Sequence, residues 1–444
     1  MQRLDLPDGF LIGAATAAYQ IEGAVTEDGR GASIWDTFSH TPGRVVGGHT
    51  GDVACDHYHR MDEDVALMAE LGLDAYRFSI AWPRVLPAGR GAVNPAGLGF
   101  YDRLVDRLLE HGITPFATLY HWDLPQVLED EGGWRRRSTS EAFAAYAEVV
   151  TSHLGDRVGH WATLNEPWVS AHLGYITGSH APGGSDLADG LAAAHHLLLA
   201  HGLAVPRIRR SAPGAAVGIV LNLVEVTTMS AHPADVAAAT IAEGTVNRWF
   251  LDPIAGRGYP GDAAAALGWD GAPVRDGDLG TIGVPMDFLG VNYYTRLIKG
   301  SPGLADRPEP IARSSGEITD MGWEVHPDGL EHVLRRVDRE YGFSRLYVTE
   351  NGVAYPEPEH VEGPIDDAER ISYLQRHLEA AARAVAGGVP LAGYFVWSLL
   401  DNFEWAFGYT KRFGIVHVDF DTLARTPKRS YSWLRELQTP RHRT

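Results

Sequence analysis

Two glutamates, Glu166 and Glu350, occupy comparable places in the sequence, each at the end of a strand-like run and just before a turn signal. Pro167 prevents the first run from continuing as a strand. The pair Asn351-Gly352 favours a turn after the second. Each glutamate is therefore predicted at the tail of a buried strand. One protonated and one ionised carboxyl group are what cleavage of a sugar acetal requires, so these are the candidate acid and nucleophile.

Segments with strand and helix patterns alternate along the whole chain. Strands are predicted over residues 10–16, 74–79, 113–120, 159–165, 216–223, 286–294, 345–350 and 391–398. Helices are predicted over residues 61–71, 95–111, 139–154, 187–209, 233–250, 327–340, 368–386 and 430–438. The strands are nearly continuous apolar runs, which is typical of strands covered on both faces. Eight such units predict an α/β fold, a closed (β/α)8 TIM barrel, rather than an open sheet.

The loops indicate which end of this barrel carries the site. Long segments rich in glycine and proline, over residues 41–52, 300–315 and 351–364, follow strands. Several connections from helix back to strand are short. In such barrels the loops after the strands build the active site. No linker or low-complexity tract divides the chain, so residues 1–444 are predicted to form a single domain.

Composition and charge exclude several classes of partner. The net charge of −19 disfavours binding to nucleic acid or to an anionic membrane surface. Cys55 is the single cysteine, so no internal disulfide forms and a reducing compartment is favoured. The start of the sequence has no signal-peptide pattern, and no membrane-span pattern follows, so a cytoplasmic location is expected. The oligomeric state stays open, a homo-oligomer included.

No cofactor or metal is expected from the motifs. Residues 256–261 match G-x-G-x-x-G, but they follow a helix and contain a proline where a phosphate-binding helix should begin. The histidine pairs His57/His59 and His195/His196 lack a third ligand at a suitable spacing, so hydrogen-bonded or exposed histidines are expected there. Cys55 lies in no cluster of basic residues and is expected to have a structural or incidental role.

Polar and aromatic residues collect where the predicted strands end. They are Gln20, Arg77, His121, Trp122, Asn165, Asn222, Asn292, Tyr294 and Trp397, with Glu404 and Trp405 in the loop beyond. For one such residue alone, a satisfied polar group or a core aromatic is the simplest interpretation. It is preferred for Asn222 and considered for Trp122. Taken together, the residues predict a ligand site, because so many polar groups are costly to desolvate unpaired. Rings beside amides and carboxylates suit a pyranose.

Seven sequence blocks carry a resemblance to a known family. They cover residues 10–23, 77–84, 121–125, 163–168, 321–324, 347–352 and 397–414, in this order. On these blocks the chain resembles glycoside hydrolase family 1, the β-glucosidase family, almost from end to end. The resemblance implies Glu166 as acid/base and Glu350 as nucleophile. It implies supporting roles for Arg77, Tyr294 and Asn292, sugar contacts for Gln20, His121, Trp122, Asn165, Trp397, Glu404 and Trp405, and further substrate contacts for Trp168, Trp323 and Phe413.

The function expected from this resemblance is a retaining β-glucosidase acting on β-glucosides or cello-oligosaccharides. Side activities on β-fucosides and β-galactosides and transglycosylation are also expected. Retention predicts carboxyl groups about 5 Å apart, whereas inversion would need roughly 8–9 Å. Glu404 and Trp405 favour sugars without a 6-phosphate. Two alternatives stay open: a non-catalytic carbohydrate-binding relative, which would typically lack one glutamate, and an enzyme that mainly transfers glycosyl groups.

Overall fold

Eight parallel strands close into a barrel in the computed structural model, which describes residues 6–304, 307–360, 363 and 365–438. The strands are β1 Leu11–Ala15, β2 Ala75–Ser79, β3 Thr114–Tyr120, β4 His160–Asn165, β5 Ala216–Asn222, β6 Phe288–Asn292, β7 Leu346–Asn351 and β8 Leu391–Trp397. Each strand pairs with the next in chain order, and β8 pairs with β1. The predicted (β/α)8 TIM barrel is confirmed. Its extent as one domain over residues 1–444 stays a prediction.

Eight helices follow the strands on the outside of the barrel. They are α1 His57–Leu71, α2 Pro95–Glu110, α3 Arg137–Leu154, α4 Leu187–Ser211, α5 Pro233–Glu243, α6 Pro327–Tyr341, α7 Ala368–Ala386 and α8 Arg429–Gln438. Proline is the first residue of α2, α5 and α6. The N–H groups of the first turn have no partner within the helix, so a proline there costs no hydrogen bond. Left-handed Gly72 and Gly342 end α1 and α6. These signals explain why the predicted bounds agree within a few residues for most helices.

The helix predicted over residues 233–250 is interrupted. After α5 the chain forms a π-helical turn, Gly244–Arg248, and then the short helix Trp249–Ile254. Asn247 in this turn accepts a hydrogen bond from Val224 N at 3.1 Å and donates one to Val224 O at 2.9 Å. The turn therefore fastens the loop after β5, and π-helical turns often occur at functional sites.

Short elements in the loops escaped prediction, because they are too short to show a period. They include the helical segments Ala18–Ile21, Ile34–Ser39, Val46–Gly48, Trp82–Val85, Gln126–Asp130, Gly133–Arg135, Val169–Ile176, Gly261–Leu267, Asp278–Ile282 and Trp405–Phe407. Glu225–Thr228 pairs in parallel with Arg296–Lys299, and Val416–Val418 pairs antiparallel with Arg425–Pro427. Residues 305, 306, 361, 362 and 364 of the predicted long loops lie outside the described part of the chain, as do residues 1–5 of the predicted start.

An aromatic layer fills the barrel beneath the site. Phe116 packs on Phe288, Tyr347 and Phe395, with ring centroids 5.2–5.4 Å apart. Phe288 is the first residue of β6, and Tyr347 is the second residue of β7. The layer therefore lies near the amino-terminal ends of the strands. Burying each ring stabilises the fold by about 1.5–3 kcal/mol. The layer gives the polar groups above it a close-packed floor.

Cys55 is buried, and its Sγ lies 3.0 Å from the carbonyl oxygen of Asp401. Burial raises the pKa of this thiol. The thiol is therefore a packed, protonated group, as expected for a structural cysteine. Among the described residues, no helix combines the length and apolar character needed to cross a bilayer.

Candidate active site

A cavity of about 330 Å³ opens at the carboxyl ends of the strands. Both candidate catalytic glutamates line it. The other predicted residues in its wall are His121, Trp122, Trp168, Asn292, Tyr294, Trp323, Trp397, Glu404, Trp405 and Phe413. Gln20, Arg77 and Asn165 are buried behind the wall and bond to residues that form it. The volume suits a ligand the size of one or two sugar rings.

Glu166 follows β4 directly and has a left-handed backbone, with φ +46°. Its N–H donates to Val220 O at 2.9 Å, so the strand pairing ends on this residue. A positive φ is uncommon for a residue with a side chain. This conformation ends the strand abruptly where the side chain meets the cavity. The side chain accepts a 2.6 Å hydrogen bond from Asn292 Nδ2 at Oε1, and only 6% of the residue is exposed.

Glu350 lies within β7 and is held by two donors. Arg77 Nη1 donates to Oε1 at 2.6 Å, and Tyr294 Oη donates to Oε2 at 2.7 Å. Glu350 is 3% exposed, and Arg77 is 1% exposed. A buried guanidinium in contact with a carboxylate favours the ionised form. Each oxygen of the candidate nucleophile thus has a fixed partner.

Two asparagine amides connect the glutamates. Asn165 Oδ1 accepts from Arg77 Nη2 at 2.6 Å and from Asn292 Nδ2 at 3.1 Å. Asn292 also bonds to Glu166, and its strand position pairs with that of Glu350 on β7. One hydrogen-bond network therefore runs from the carboxylate of Glu166 to that of Glu350.

Burial and charge separate the two carboxyl groups. Burial raises the pKa of Glu166 to about 8, and the negative charge of Glu350 adds to the effect. Burial also raises the pKa of Glu350, but the Arg77 ion pair is the largest opposing influence, followed by the Tyr294 and Asn292 hydrogen bonds. Since only Glu350 has the direct ion pair, a single proton shared by the two resides on Glu166. This order is the one that an acid and a nucleophile require.

His121 presents a free donor to the cavity. Its Nε2 lies 3.1 Å from Asn165 Nδ2, which only donates, so Nε2 accepts and the proton is on Nδ1. Burial and the charge of Arg77 lower the pKa of His121 well below its usual value, so the ring is neutral. Nδ1 is buried with no hydrogen-bond partner among the described residues. An unpaired buried donor beside a cavity is a binding group for a ligand hydroxyl.

Gln20 has a matching unpaired acceptor. Its Nε2 donates to Asn402 Oδ1 and Phe403 O, both at 2.9 Å, and lies 3.4 Å from Glu404 Oε2. Oε1 is buried and has no hydrogen-bond partner in the described part of the chain. Gln20 therefore fixes the loop after β8 with its nitrogen and leaves its oxygen for a hydroxyl donor.

Glu404 lies in the loop after β8 and lines the cavity. Burial raises its pKa to about 8, with a further contribution from the charge of Glu350. Near neutral pH the ligand-free side chain is therefore largely protonated. The preference for sugars without a 6-phosphate that Glu404 and Trp405 predict therefore cannot rest on the charge of the ligand-free Glu404 alone. Sugar hydroxyls that donate to Glu404 would favour its ionised form.

Aromatic rings form two sides of the cavity. On one side His121 stacks at 5.8 Å from Trp397 and 5.9 Å from Trp405, and Trp122 lies 4.6 Å from Trp405. Trp122 Nε1 donates to Asn165 O at 3.0 Å, so this ring supports the polar network as well as lining the cavity. On the other side Trp323 packs 5.3 Å from Tyr294 and 6.3 Å from Phe413. These rings suit the apolar C–H faces of a sugar.

The comparison with known proteins agrees with this geometry. The sequence profile of the glycosyl hydrolase family 1 matches residues 2–442. The chain belongs to this family. It is 48% identical to beta-glucosidase A of Acetivibrio thermocellus over 442 residues, which cover 98% of this chain and 99% of that one. It is 47% identical to the bifunctional beta-D-glucosidase/beta-D-fucosidase of Bifidobacterium breve over 461 residues, which cover 97% of each chain.

A solved structure shows the same fold. The family 1 β-glucosidase of Thermotoga maritima superposes with a TM-score of 0.93 at 45% identity, and the alignment covers 99% of each chain. The predicted family and enzyme class, a glycoside hydrolase of the β-glucosidase type, are confirmed.

The structure places Asn222, at the end of β5, in the cavity wall beside Leu223 and Val224. The expectation that Asn222 is a satisfied polar group stays a prediction. Further cavity residues were not predicted: Val169, Leu173, His180, Thr295, Met321 and Phe407. Met321 and Phe407 stand in blocks that had been recognised, residues 321–324 and 397–414. Val169, Leu173, His180 and Thr295 lie outside those blocks, and Val169 and Leu173 belong to the short helical segment Val169–Ile176.

The histidine pairs examined in the sequence have partners in the protein. His57 Nδ1 lies 2.7 Å from Asp64 Oδ2, and His59 contacts Asp56 and Glu27 at the surface. His195 lies between Tyr259 Oη and Asp278 Oδ2, each 3.0 Å away. His196 Nδ1 is 2.9 Å from Trp134 O. Each of the four histidines therefore has at least one partner within the protein.

Proposed function

We propose that this protein is a retaining β-glucosidase that releases β-D-glucose from the non-reducing end of β-glucosides or short cello-oligosaccharides. One observation carries the proposal: Glu166 and Glu350 line the same cavity in environments that favour opposite protonation states. The names of relatives agree, since both curated relatives described above are β-glucosidases and one of them is also a β-fucosidase.

In the first step, a carboxylate oxygen of Glu350 attacks the anomeric carbon, and the bond from that carbon to the leaving oxygen breaks. The proton of Glu166 passes to the leaving oxygen. The product is a glycosyl ester of Glu350 with inverted configuration, and the aglycone leaves as an alcohol. Arg77 and Tyr294 each hold one carboxylate oxygen of Glu350, so the carboxylate can attack the sugar without first moving.

In the second step, Glu166 acts as base. Esterification removes the charge of Glu350, which is the second-largest cause of the raised pKa of Glu166. The pKa of Glu166 therefore falls once the ester has formed, and the carboxylate takes a proton from water. The water oxygen attacks the anomeric carbon, and the ester bond to Glu350 breaks. Two inversions give net retention. The mechanism requires the carboxyl groups of Glu166 and Glu350 to lie about 5 Å apart, and this distance stays a prediction.

Binding of the transferred sugar falls to the free polar groups described above. His121 Nδ1 is available to donate, Gln20 Oε1 to accept, and Glu404 to accept two hydroxyl donors. A site built to satisfy hydroxyls rejects sugars that lack them, because its own buried groups would then stay unpaired. We assign these three residues to the outer hydroxyls of glucose. A fucoside or galactoside would keep part of these bonds.

Transfer to alcohol acceptors is the second candidate activity. Apolar residues line the cavity near Trp168, including Val169 and Leu173, and Trp323 stands in the opposing aromatic group. An alkyl or aryl alcohol would bury its apolar part there and compete with water for the glycosyl ester. Product analysis at high alcohol concentration separates transfer from hydrolysis.

The function is tested with the purified protein and 4-nitrophenyl β-D-glucoside, β-D-galactoside, β-D-fucoside, 6-phospho-β-D-glucoside and cellobiose. We expect the highest kcat/KM among the unphosphorylated sugars. Proton NMR at early times should show β-glucose before mutarotation produces the α-anomer. First appearance of α-glucose would refute retention, and no turnover of any substrate would favour the carbohydrate-binding alternative. A cytoplasmic location remains a prediction, and the oligomeric state stays open.

A further inference from the structure

A carboxylate and two imidazoles meet outside the active-site cavity. Glu225 begins the short strand after β5, His326 directly precedes α6, and His332 lies on α6. Oε1 of Glu225 is 2.7 Å from His332 Nδ1, and Oε2 is 2.8 Å from His326 Nε2. One ligand atom of each residue lies within 4.8 Å of the other two. The cluster is not apparent in the sequence because Glu225 lies 107 residues from His332.

The two contacts of Glu225 differ in kind. The contact with His332 is aligned as a hydrogen bond. The contact with His326 is not, and Oε2 is buried without a hydrogen-bond partner among the described residues. A close but misaligned approach of nitrogen to oxygen is typical of ligands grouped about a third atom. At tetrahedral angles, zinc–ligand bonds of about 2.0–2.2 Å place neighbouring ligand atoms about 3.3–3.6 Å apart, with their lone pairs directed at the metal, so both contacts of Glu225 would lengthen when the ion binds.

Gly329 leaves the space that this cluster occupies. A side chain at this position would overlap the hydroxyl of Tyr293 and lie 2.8 Å from both Oε2 of Glu225 and the ring of His326. Glycine within a helix costs about 0.5–1 kcal/mol relative to alanine. Tyr293 Oη also donates to His326 O at 2.8 Å, which fixes the backbone that carries this ligand. Glycine at this position therefore leaves room first for the hydroxyl of Tyr293 and also for the carboxylate and the imidazole beside it.

In a second cluster of potential metal ligands, the protein's own cations neutralise the carboxylates. Glu357, Asp401 and His417 also approach one another, but Lys428 Nζ lies 2.5 Å from Glu357 and 2.9 Å from Asp401. Arg412 adds a further cation beside Asp401. The protein supplies its own positive charges there.

The Glu225 cluster has no such cation. In the described part of the chain, no lysine or arginine forms an ion pair with Glu225, and its ion-pair contacts are the two histidines. The nearby Arg296 is engaged by Glu324, with Nε and Nη2 each 2.9 Å from a carboxylate oxygen. An external cation could therefore take the place beside Glu225 that lysine and arginine take in the second cluster.

We propose that Glu225, His326 and His332 bind a divalent transition metal ion, for which Zn²⁺ is the matching probe. Two imidazoles and one carboxylate suit Zn²⁺ and its neighbours better than Mg²⁺ or Ca²⁺, which prefer oxygen ligands. The side chain of His332 is 57% exposed, which gives the ion an entry path and leaves one position for water. On binding, the metal replaces the proton that His332 Nδ1 shares with Glu225 Oε1.

The ion would connect two segments that also form the active-site wall. Val224 precedes Glu225, and Trp323 stands three residues before His326, and both line the cavity. Binding would tie the loop after β5 to the start of α6. The site is structural, because no ligand of the cluster reaches the reacting groups. Its effect on catalysis would be confined to KM for substrates that differ in their aglycone.

Isothermal titration calorimetry of the chelator-treated, tag-free chain with Zn²⁺ tests the proposal. We expect one Zn²⁺ per chain. H332Q and E225Q should each weaken binding by at least about 10-fold, since even indirect ligand partners contribute this much. The control is H153Q, which removes another exposed histidine beside a single carboxylate. Zn²⁺ should also raise the melting temperature of the wild type and H153Q but not of H332Q.

The outcomes are decisive in both directions. H332Q changes an exposed side chain, so it tests the site even if E225Q fails to fold. With Co²⁺ in place of Zn²⁺, visible absorption bands typical of histidine and oxygen ligands should appear in the wild type and disappear in H332Q. Absence of Zn²⁺ binding to the wild type, or equal affinity in wild type, H332Q and H153Q, would overturn the proposal. Neither result would affect the assignment of Glu166 and Glu350.

Discussion

The side-chain amide of Asn292 donates a 2.6 Å hydrogen bond to Oε1 of Glu166. Asn292 ends β6, next to Glu350 on β7, and its Oδ1 accepts from Thr349 Oγ1 at 2.7 Å. This second bond fixes which side of the amide faces Glu166. A donor in this position favours the ionised form of the acid and so opposes the effect of burial. Asn292 therefore sets how far the pKa of Glu166 rises above its usual value.

Replacing Asn292 with alanine should move the pH optimum upward. Loss of the amide donor raises the pKa of Glu166 above about 8, and it removes a hydrogen bond that lowers the pKa of Glu350. Both limbs of the kcat/KM profile should shift to higher pH, by about 1 unit if the bond is worth roughly 1.5 kcal/mol. The rate should fall by about 10²-fold because Glu166 loses its fixed position.

The matched control for N292A is N222A. Asn222 is the amide at the paired position on β5 and lines the same cavity, but the described contacts include no hydrogen bond from it to either glutamate. Its removal should leave both limbs of the profile in place. An unchanged profile in N292A, or a shift to lower pH, would contradict the role given to this amide.

Azide should distinguish the two glutamates by the configuration of its product. E350A should lose on the order of 10⁴-fold or more in kcat, as other covalent enzymes do without their nucleophile. With 2,4-dinitrophenyl β-glucoside, azide should enter from the side vacated by Glu350 and give the α-glucosyl azide. E166A still forms the glycosyl ester from this activated substrate, so azide should give the β-glucosyl azide. Identical azide anomers from the two variants would refute the assignment.

Much of the fold was predictable because barrel strands are apolar runs with clear stops. The end predicted for the strand before Glu166 is the one observed, since Pro167 excludes a further ladder residue. The interruption after α5 was not predictable from periodicity. The helical pattern continues through residues 244–248, and the π-helical turn is tied to the backbone of Val224, a contact between distant parts of the chain.

The site was predictable for residues that stand in recognisable blocks, and less so for those defined by contacts. Asn222 was named in the sequence and then set aside, because an amide at a strand end looks the same whether it is satisfied or free. The raised pKa of Glu404 was missed for a related reason: burial and the approach of Glu350 are properties of the folded chain. The Glu225 cluster depends on a strand and a helix that meet only in three dimensions.

Tyr294 and Tyr293 form a natural pair for testing the state of the nucleophile. Tyr294 Oη donates to Glu350 at 2.7 Å, whereas Tyr293 Oη donates to His326 O at 2.8 Å. The hydrogen bond from Tyr294 lowers the pKa of Glu350, so Y294F should raise it. The acidic limb of kcat/KM should therefore move to higher pH in Y294F and stay in place in Y293F. Equal shifts in both variants would mean that the effect is not due to this bond.

Discrimination against 6-phosphorylated sugars should depend on Glu404. Sugar hydroxyls that donate to Glu404 favour its ionised form, whereas a phosphate dianion offers no donor and repels that form, which costs several kcal/mol. We expect kcat/KM for 4-nitrophenyl 6-phospho-β-glucoside to be at least about 100-fold below that for the unphosphorylated substrate, which corresponds to roughly 2.7 kcal/mol. E404Q removes the charge and keeps the size, whereas E404S removes both. If the ratio of kcat/KM for the unphosphorylated substrate to that for the phosphorylated one decreases only in E404S, the discrimination is due to size. Faster turnover of the phosphorylated substrate by the wild type would refute the predicted discrimination.

Glu404 should also make stability depend on pH in the absence of ligand. Its pKa is raised from 4.5 to about 8 in the folded protein, so between these values the folded state binds a proton that the unfolded state has lost. Stability from this group is complete below pH 4.5 and is lost as pH rises toward 8, by up to about 1.4 kcal/mol per pH unit. E404Q lacks this loss, so its melting temperature relative to the wild type should increase steadily from pH 5 to pH 8. The control V127A, which changes an exposed side chain that does not titrate, should show a constant difference. If the melting temperature of E404Q minus that of the wild type stays constant or decreases with rising pH, Glu404 is ionised in the folded, ligand-free enzyme.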